Sequence, residues 1–373
     1  MKRSAENIRM SLFRCLYMAL LLCIAGCSQD EPNGIDPSTS EKHHIAVICP
    51  KEKSGVWKST ADWALDNISK AQIGQDRRIS LDIEWIDEGD SNLTEKVSSI
   101  AKGGGYDLII GPYSSAKAYQ VSQQVQGKIP LLLPSVTSTE MQRIYGGHNG
   151  VWFFSQSDIT QCEILLTQAK LKGNGNVALI TTNDAYGQSF NDWFTYQAIE
   201  LSLTVDEIFI CQNESDISNA VRRLNGQTNW HRKSVILAPS ALSYVVAFDG
   251  EIGKIKAKLK PHEYLMFPEV LCSDIVNSSG AKGALRNMIY EGVSPSADPR
   301  SGWTTAYVGK FGAEPYAGEA QLYDALMLSA FAIHSRQESE SLNEAIMRVV
   351  DGRDGSVCEG WTAADLQKTF SRL

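Results

Sequence analysis

Residues 109–116 have the sequence IIGPYSSA, and the architecture of the chain can be worked out from this stretch. Its apolar start is typical of a buried strand, while Gly111 and Pro112 turn the chain as it leaves that strand. Ser114 and Ser115 then open a predicted helix, where hydroxyls and backbone N–H groups can hold a carboxylate. The stretch therefore predicts a strand–turn–helix unit with a candidate anion site at the turn.

The same arrangement recurs one strand later, in residues 129–141 (IPLLLPSVTSTEM). Ser135 and Thr137 follow an apolar run and precede a predicted helix, in which Glu140 could complete a capping box. The serine and threonine hydroxyls of both turns either bind a ligand or cap their helices, and the residues alone leave both readings open.

Short apolar runs alternate with stretches of helical spacing on both sides of these turns, and the pattern restarts after Phe154. Such alternation is typical of parallel strands with helices on both faces of the sheet. We therefore predict an α/β protein with two doubly wound parallel-sheet lobes, whose ligands lie beyond the carboxyl ends of the strands. The predicted strands are residues 45–49, 79–86, 106–110, 129–133, 177–181, 204–210, 234–238 and 263–267.

We expect each lobe to consist of two stretches of chain. These are residues 43–151 and 296–336 for the first lobe, and residues 152–295 and 337–373 for the second. A multi-segment hinge should join the lobes through three crossings of the chain. The crossings are expected near residues 152–156, 289–295 and 350–360.

The first 26 residues are predicted to be a lipoprotein signal peptide. Four basic residues precede the apolar run 15–25, whose roughly 11 residues of helix would span only about half of a bilayer core. The run ends in residues 24–27 (IAGC), which closely resemble the bacterial lipobox, whose cysteine carries lipid. We thus expect Cys27 to be acylated, although a secretory leader that ends in cysteine by chance is the alternative.

The mature chain should be exported and anchored by its lipid to the bacterial cell envelope, on a leaflet that the sequence leaves open. Residues 27–42 are polar and aperiodic, as in a flexible tether. Residues 28–31 (SQDE) resemble the acidic signal that directs some Bacteroidetes lipoproteins to the outer surface, but an acidic spacer is equally compatible. Removing residues 1–26, with net charge +3, changes the formal charge from −8 to −11. This acidity argues against nucleic acid as a partner.

Cysteine and histidine usage indicates no metal, cofactor or enzymatic chemistry. The five cysteines that follow Cys27 are odd in number and form no C-x-x-C pair, so we expect buried free thiols. They are Cys49, Cys162, Cys211, Cys272 and Cys358. Residues 87–90 (DEGD) lack the alternating oxygen ligands of a calcium loop and are expected to form a solvated turn. No nucleotide-binding or hydrolase motif is present, so we predict that the protein is not an enzyme.

Five segments, in order and spacing, resemble the leucine/isoleucine/valine-binding-protein family of type I periplasmic binding proteins. They are residues 109–116, 129–141, 177–188 (VALITTNDAYGQ), 267–270 (FPEV) and 315–325 (PYAGEAQLYDA). The resemblance implies a cleft that holds an amino-acid-like ligand by its carboxylate and ammonium groups. The residues that it implies are Ser114 or Ser115, Ser135 and Thr137 in one lobe, with Tyr186 and Glu269 in the other.

Two loops depart from the pattern of the family. Residues 51–57 (KEKSGVW) replace a short Ser/Gly-rich loop, so Trp57 could wall the ligand pocket and Lys51 or Lys53 could attract an anion. An exposed charged loop is the alternative. Residues 239–241 (PSA) stand where amino-acid binders often place a second aromatic side chain. The ligand class therefore stays open.

The C-terminal end also departs from the family, whose members continue with a loop and a final strand pair. Here a predicted amphipathic helix, residues 363–373, ends the chain, which fits a trimmed family member, a truncated sequence or a lost domain. We expect a lipid-anchored solute-binding protein that delivers a small polar, amino-acid-like ligand to an ABC permease. The alternative is a sensing or structural module on the same fold.

Overall fold

The computed structural model describes residues 40–103, 105–146, 150–228, 233–255, 264–267, 285–287, 289–293, 297–316, 318–352 and 360–373. Within these ranges the strands form two five-stranded sheets, and each paired strand runs parallel to its neighbour. The predicted α/β fold with two parallel-sheet lobes is confirmed.

The first sheet has the strand order β2-β1-β3-β4-β5, and the second has the order β10-β9-β8-β6-β7. The first contains β1 (Glu41–Cys49), β2 (Ile79–Asp87), β3 (Leu108–Ile110), β4 (Leu131–Leu133) and β5 (Val151–Phe153). The second contains β6 (Asn176–Thr182), β7 (Thr204–Cys211), β8 (Lys233–Ala238), β9 (Tyr264–Phe267) and β10 (Ile289–Gly292). In both sheets the chain adds its second strand on one side of the first and its third strand on the other side.

Helices cover both faces of each sheet. They are α1 (Ser54–Ala71), α2 (Leu93–Gly103), α3 (Ser115–Val125), α4 (Thr139–Tyr145), α5 (Asp158–Leu171), α6 (Ala185–Glu200), α7 (Asp216–Asn225), α8 (Leu242–Gly253), α9 (Gly302–Phe311), α10 (Glu319–Ser335), α11 (Leu342–Asp351) and α12 (Ala363–Arg372). Alternate residues of the central strands enter opposite cores, because successive side chains of a strand point to opposite faces. Ile45 and Val47 of β1 thus lie in one core and Ala46 and Ile48 in the other.

The helices α11 and α12 pack on the first lobe, so our assignment of these helices to the second lobe is wrong. Ile346 of α11 and Phe370 of α12 are buried in the same core as Ile45 of β1. Both helices have an apolar stripe, but a stripe does not specify which lobe supplies the surface that covers it. Of the segment 350–360, predicted as a third hinge crossing, residues 353–359 lie outside the described residues.

The structure also bears on the predicted tether and on the predicted free cysteines. β1 begins at Glu41, so the last two residues of the predicted tether belong to a strand. Cys49, Cys162 and Cys211 are buried free thiols, as predicted. Cys272, Cys358, the predicted signal peptide and the lipidation site Cys27 lie outside the described residues.

No helix in the described part of the chain has the length and apolarity needed to cross a bilayer.

Candidate functional site

Two neighbouring cavities open where the two lobes meet. The smaller, here called the polar cavity, has a volume of about 30 Å³ and is lined by Tyr113, Ser114, Ser115, Ala116, Ser135, Thr137, Tyr186 and Ser240. Five of the seven ligand-binding residues expected from the sequence therefore lie together around one cavity. Its volume accommodates only about one water molecule.

The larger cavity, here called the aromatic cavity, has a volume of about 690 Å³. Its walls come from the start of α1, the end of α9 with the loop that follows it, the first residue of α10, and Leu242 of the second lobe. Trp57, the sixth predicted residue, is fully buried and lines this cavity. The seventh, Glu269, lies outside the described residues.

The strand order explains why these loops meet. The chain reverses its direction of growth between β1 and β3 in the first sheet and between β6 and β8 in the second. The loops that follow such neighbouring strands diverge to opposite faces and leave a crevice at the carboxyl edge. Residues after β1, β3, β6 and β8 accordingly line one or both cavities, together with Ser135 and Thr137 after β4.

Gly111 is required at the exit from β3. Its φ is +88°, and a Cβ atom at this position would lie 2.1 Å from the carbonyl oxygen of Ile48. Ser114 then acts as the N-cap of α3, its Oγ accepting a hydrogen bond from the N–H of Lys117 at 3.4 Å. The hydroxyl of Ser135 donates to the carbonyl oxygen of Tyr113 at 2.9 Å and ties the two turns together.

The N-cap of α4 is Ser138, so neither Ser135 nor Thr137 caps that helix. The Oγ of Ser138 accepts from the N–H of Met141, which places Met141 at the third helical position. Glu140 is therefore not a capping-box partner, and our expectation for it is wrong; its carboxylate instead pairs with Arg143 at 3.4 Å.

Glu88 is buried beside the polar cavity, which corrects our prediction of a solvated turn at residues 87–90. Its carboxylate accepts the N–H of Tyr113 at 2.7 Å and the N–H of Ser114 at 3.2 Å. Burial raises the pKa of Glu88, while the Ser114 hydroxyl and these two amides lower it. Two amides that precede α3, where the sequence suggested an anion site, are thus occupied by a carboxylate of the chain itself.

Thr137 contacts a second buried acid, Asp158, which is the first residue of α5 and has no exposed surface. Burial raises the pKa of Asp158 from 3.8 to about 7, and the hydroxyls of Thr137 and Ser189 lower it in part. The N–H of Asp158 also donates to the carbonyl oxygen of Thr137 at 2.9 Å. Asp158 therefore holds Thr137, a residue that lines the polar cavity, in position.

Tyr186 reaches the polar cavity from the second lobe, at the start of α6. Asp184 caps this helix by accepting the N–H groups of Tyr186 at 3.1 Å and Gly187 at 2.9 Å. A Cβ atom on Gly187 would lie 2.1 Å from the carbonyl oxygen of Thr182, so only glycine lets α6 start this close to β6. The Tyr186 ring packs against Phe190 with a centroid distance of 5.3 Å.

An acidic residue, Glu319, lines the aromatic cavity and is itself buried. Its Oε2 accepts the hydroxyl of Tyr307 and the N–H of Tyr316, each at 2.8 Å. Burial raises the pKa of Glu319, while these two hydrogen bonds and the charge of Lys53 lower it. Two aromatic residues thus hold a carboxylate in place at the cavity wall.

Trp57 and Tyr113 stand between the two cavities, with ring centroids 6.0 Å apart. Gly318 precedes α10 and has a φ of +89°. A Cβ atom at this position would lie 3.2 Å from Trp57 and 3.3 Å from Ser135, so glycine lets the start of α10 approach both residues. The ammonium of Lys53 lies 5.4 Å from the centroid of the Tyr113 ring. Of residues 51–57, Lys53 and Trp57 thus line the site, Lys51 and Glu52 are exposed, and Ser54 to Trp57 already belong to α1.

Sequence reasoning missed Glu88, Asp158, Ser240 and Glu319. Glu319 lies within the quoted segment 315–325, directly after a glycine at a helix start, so an acid in that position was a usable signal. Glu88 and Asp158 carried no such signal, because each is buried by contacts with a distant segment. Glu88 contacts Tyr113, which lies 25 residues later in the chain, and Asp158 contacts Thr137, which lies 21 residues earlier.

Comparisons with known proteins agree with this geometry. The family described as periplasmic binding protein matches residues 55–335, about three quarters of the chain. No curated protein matches the chain. Solved structures resemble it at low sequence identity, which supports the fold.

An ABC transporter substrate-binding protein from Desulfitobacterium hafniense, in complex with Leu, has a TM-score of 0.64 at 17% identity, over 86% of this chain and 91% of its own. The branched-chain amino acid transporter substrate binding protein from Streptococcus pneumoniae, in complex with isoleucine, has a TM-score of 0.61 at 15% identity, over 83% and 88%. A solute binding protein from R. palustris, in complex with benzoate, has a TM-score of 0.60 at 13% identity, over 88% and 85%.

The family match covers most of the residues that build both sheets and both cavities. It also agrees with the order of the five segments that suggested this family from the sequence. The chain therefore belongs to the periplasmic binding protein family, whose members bind solutes and are not enzymes.

Proposed function

We propose that this protein is a lipid-anchored solute-binding protein that captures a small organic molecule related to an amino acid between its two lobes and delivers it to an ABC permease. The observation that carries the proposal is the meeting of five residues expected from the sequence around one interlobe cavity, next to a second cavity large enough for a ligand. Structural neighbours named for Leu, isoleucine and benzoate support a small organic ligand.

Membership of the family implies export to the periplasm. The lipid anchor rests on the lipobox-like residues 24–27. Cys27→Ser should therefore leave an unprocessed precursor that incorporates no labelled palmitate. Normal maturation and labelling of that variant would remove the anchor from the proposal without affecting the binding function.

The binding function is tested by a thermal-shift screen of the purified protein against amino acids, amines, amides and aromatic acids. A ligand at about 100 times its dissociation constant should stabilise the folded protein by about 2.7 kcal/mol, because it binds the folded state alone. Transport is then tested by uptake of that ligand in cells with and without the gene. Failure of every compound in the screen to raise the melting temperature would overturn the proposed function.

A further inference from the structure

We propose that the ligand of this cleft is an organic amine without a carboxylate group, whose apolar or aromatic body fills the aromatic cavity and whose ammonium group is recognised by Glu319. The inference rests on the proposed function and names the substrate class of the same cleft. It follows from the volumes, charges and hydrogen bonds of the two cavities.

The volumes assign the body of the ligand to the aromatic cavity. Its roughly 690 Å³ lies within the range of small-molecule sites, whereas the roughly 30 Å³ of the polar cavity does not. Trp57, Tyr307, Phe311 and Tyr316 line the larger cavity. Such walls select a ligand with an apolar or aromatic body, because each contact removes apolar surface from water.

The charges around the aromatic cavity favour a cation. Among the described residues, three carboxylates line it, those of Glu52, Glu314 and Glu319, and one lysine, Lys53. Glu319 is the most informative of them, because it is 5% exposed and only its Oε2 accepts hydrogen bonds from Tyr307 and Tyr316. An ammonium group beside Oε1 would add to the partial compensation that the charge of Lys53 gives the buried carboxylate, and aromatic faces attract cations as well.

The polar side of the cleft disfavours a ligand carboxylate. Glu88 already accepts the N–H groups of Tyr113 and Ser114, and Asp184 accepts those of Tyr186 and Gly187. A carboxylate placed against Ser114 would therefore lie close to the buried carboxylate of Glu88. Like charges at such short range in a partly buried site repel each other strongly.

The test uses four probes that share a phenylethyl group and differ in the polar groups attached to it: 2-phenylethylamine, 2-phenylethanol, L-phenylalanine and 3-phenylpropionate. Calorimetric titration at pH 7 should show the amine binding at least tenfold more tightly than each of the other three. Equal or tighter binding of L-phenylalanine or 3-phenylpropionate would overturn the inference, since an anionic group would then be accepted. Absence of amine binding would overturn it as well.

One variant and its control test the assigned contact between Glu319 and the ammonium group. Glu319→Gln keeps an oxygen for Tyr307 and Tyr316 but removes the charge, so the affinity for 2-phenylethylamine should fall by about 10- to 150-fold. Binding of 2-phenylethanol should change little, which separates loss of the charge from loss of the fold. Glu163→Gln, on the exposed face of α5, is the matched control. An unchanged amine affinity in Glu319→Gln would overturn the assignment.

Glu88→Gln provides an independent readout that does not depend on Glu319. It should raise the affinity for L-phenylalanine at least fivefold relative to that for 2-phenylethylamine, because it removes repulsion toward a carboxylate alone. An unchanged affinity for L-phenylalanine in Glu88→Gln would contradict the argument that Glu88 repels a ligand carboxylate. If the broad screen finds a carboxylate ligand instead, the proposed function stands and this inference fails; if it finds no ligand, both fail.

Discussion

Asp158 shows how a single buried acid beside the cleft can make the stability of the folded protein depend on pH. Its folded pKa of about 7 lies above the ordinary value of 3.8, because burial disfavours the charged form. Between about pH 4 and pH 7 the folded state therefore keeps a proton that the unfolded state loses. The free energy of unfolding should fall as pH rises through this window and should level off above it.

Asp158→Asn should abolish most of this dependence, since asparagine resembles the protonated acid. A pKa difference of about 3 corresponds to about 4 kcal/mol, so the wild-type protein should lose up to about that much relative to the variant between pH 4 and pH 8. Urea unfolding of both proteins at several pH values measures the difference. Asp192→Asn, at an exposed position of α6, is the control, and identical pH profiles for Asp158→Asn and wild type would show that Asp158 is ionised in the fold.

Gly111 tests the geometry of the first cleft turn at the same scale. Gly111→Ala should destabilise the protein well beyond the 1–2 kcal/mol or so that a left-handed alanine costs, because its Cβ would lie 2.1 Å from the carbonyl oxygen of Ile48. Gly74→Ala is a matched control, since Gly74 has a similar φ of +86° with nothing within 4 Å of the added Cβ. Similar losses in the two unfolding curves would argue that the turn can relax.

At the scale of elements, α12 is the segment whose position the sequence least anticipated. Phe370 is 2% exposed, and its ring packs 5.0 Å, between centroids, from both Phe331 and His334 of α10. The Nε2 of Gln367 adds a hydrogen bond to the carbonyl oxygen of Ile73 at 2.9 Å. These contacts make α12 part of the first-lobe core rather than an appendage of the second lobe.

Phe370→Ala should therefore lower the free energy of unfolding by about 3–5 kcal/mol, the cost of emptying a buried aromatic site. Lys368→Ala, at an exposed position of the same helix, should change it by less than about 0.5 kcal/mol. Urea unfolding of both variants measures the two losses. A loss below about 1 kcal/mol for Phe370→Ala would mean that α12 does not pack on this core in solution.

At the scale of the whole molecule, hydrogen bonds join the lobes beside the polar cavity, and two of them connect the start of α4 with α6. The hydroxyl of Ser138 donates to the carbonyl oxygen of Ala185 at 3.0 Å, and the N–H of Thr139 donates to Oγ of Ser189 at 2.9 Å. Both stabilise the arrangement in which a ligand touches both lobes. A ligand that prefers this arrangement shifts the population toward it, and so do these bonds.

Ser189→Ala should weaken ligand binding by about 2- to 12-fold, because losing one interlobe hydrogen bond of about 0.5–1.5 kcal/mol, that with Thr139, favours separation of the lobes. The same change removes the hydrogen bond between Ser189 and Asp158 within the second lobe. Calorimetry on the ligand found in the screen measures the affinity, and small-angle scattering measures the size of the unliganded protein, which should increase. Thr195→Ala, at an exposed position of the same helix, should change neither quantity. An unchanged affinity and size in Ser189→Ala would show that this contact does not control closure.

Much of the fold could be predicted from the sequence, because its signals are local. Apolar runs of strand length and helical spacing reflect which faces of each element are buried, and Gly111 and Gly187 mark turns that other residues would obstruct. The carboxyl ends of parallel strands share one edge of a sheet, so the positions of Ser114 and Ser135 along the chain are enough to predict that they meet. The approach of Tyr186 from the second sheet was implied by the family resemblance alone.

What only the tertiary structure decided depends on contacts between segments distant in the chain. Glu88 has the sequence context of a solvated acid, and only its hydrogen bonds with Tyr113 and Ser114 make it a buried one. Likewise, α12 has an apolar stripe that does not specify the lobe on which it packs, and the aromatic cavity forms from four separate elements, α1, α8, α9 and α10. Burial and charge compensation are properties of such an assembly rather than of any one segment, so the local pattern specified the strands, helices and turns, and packing specified the chemistry of the cleft.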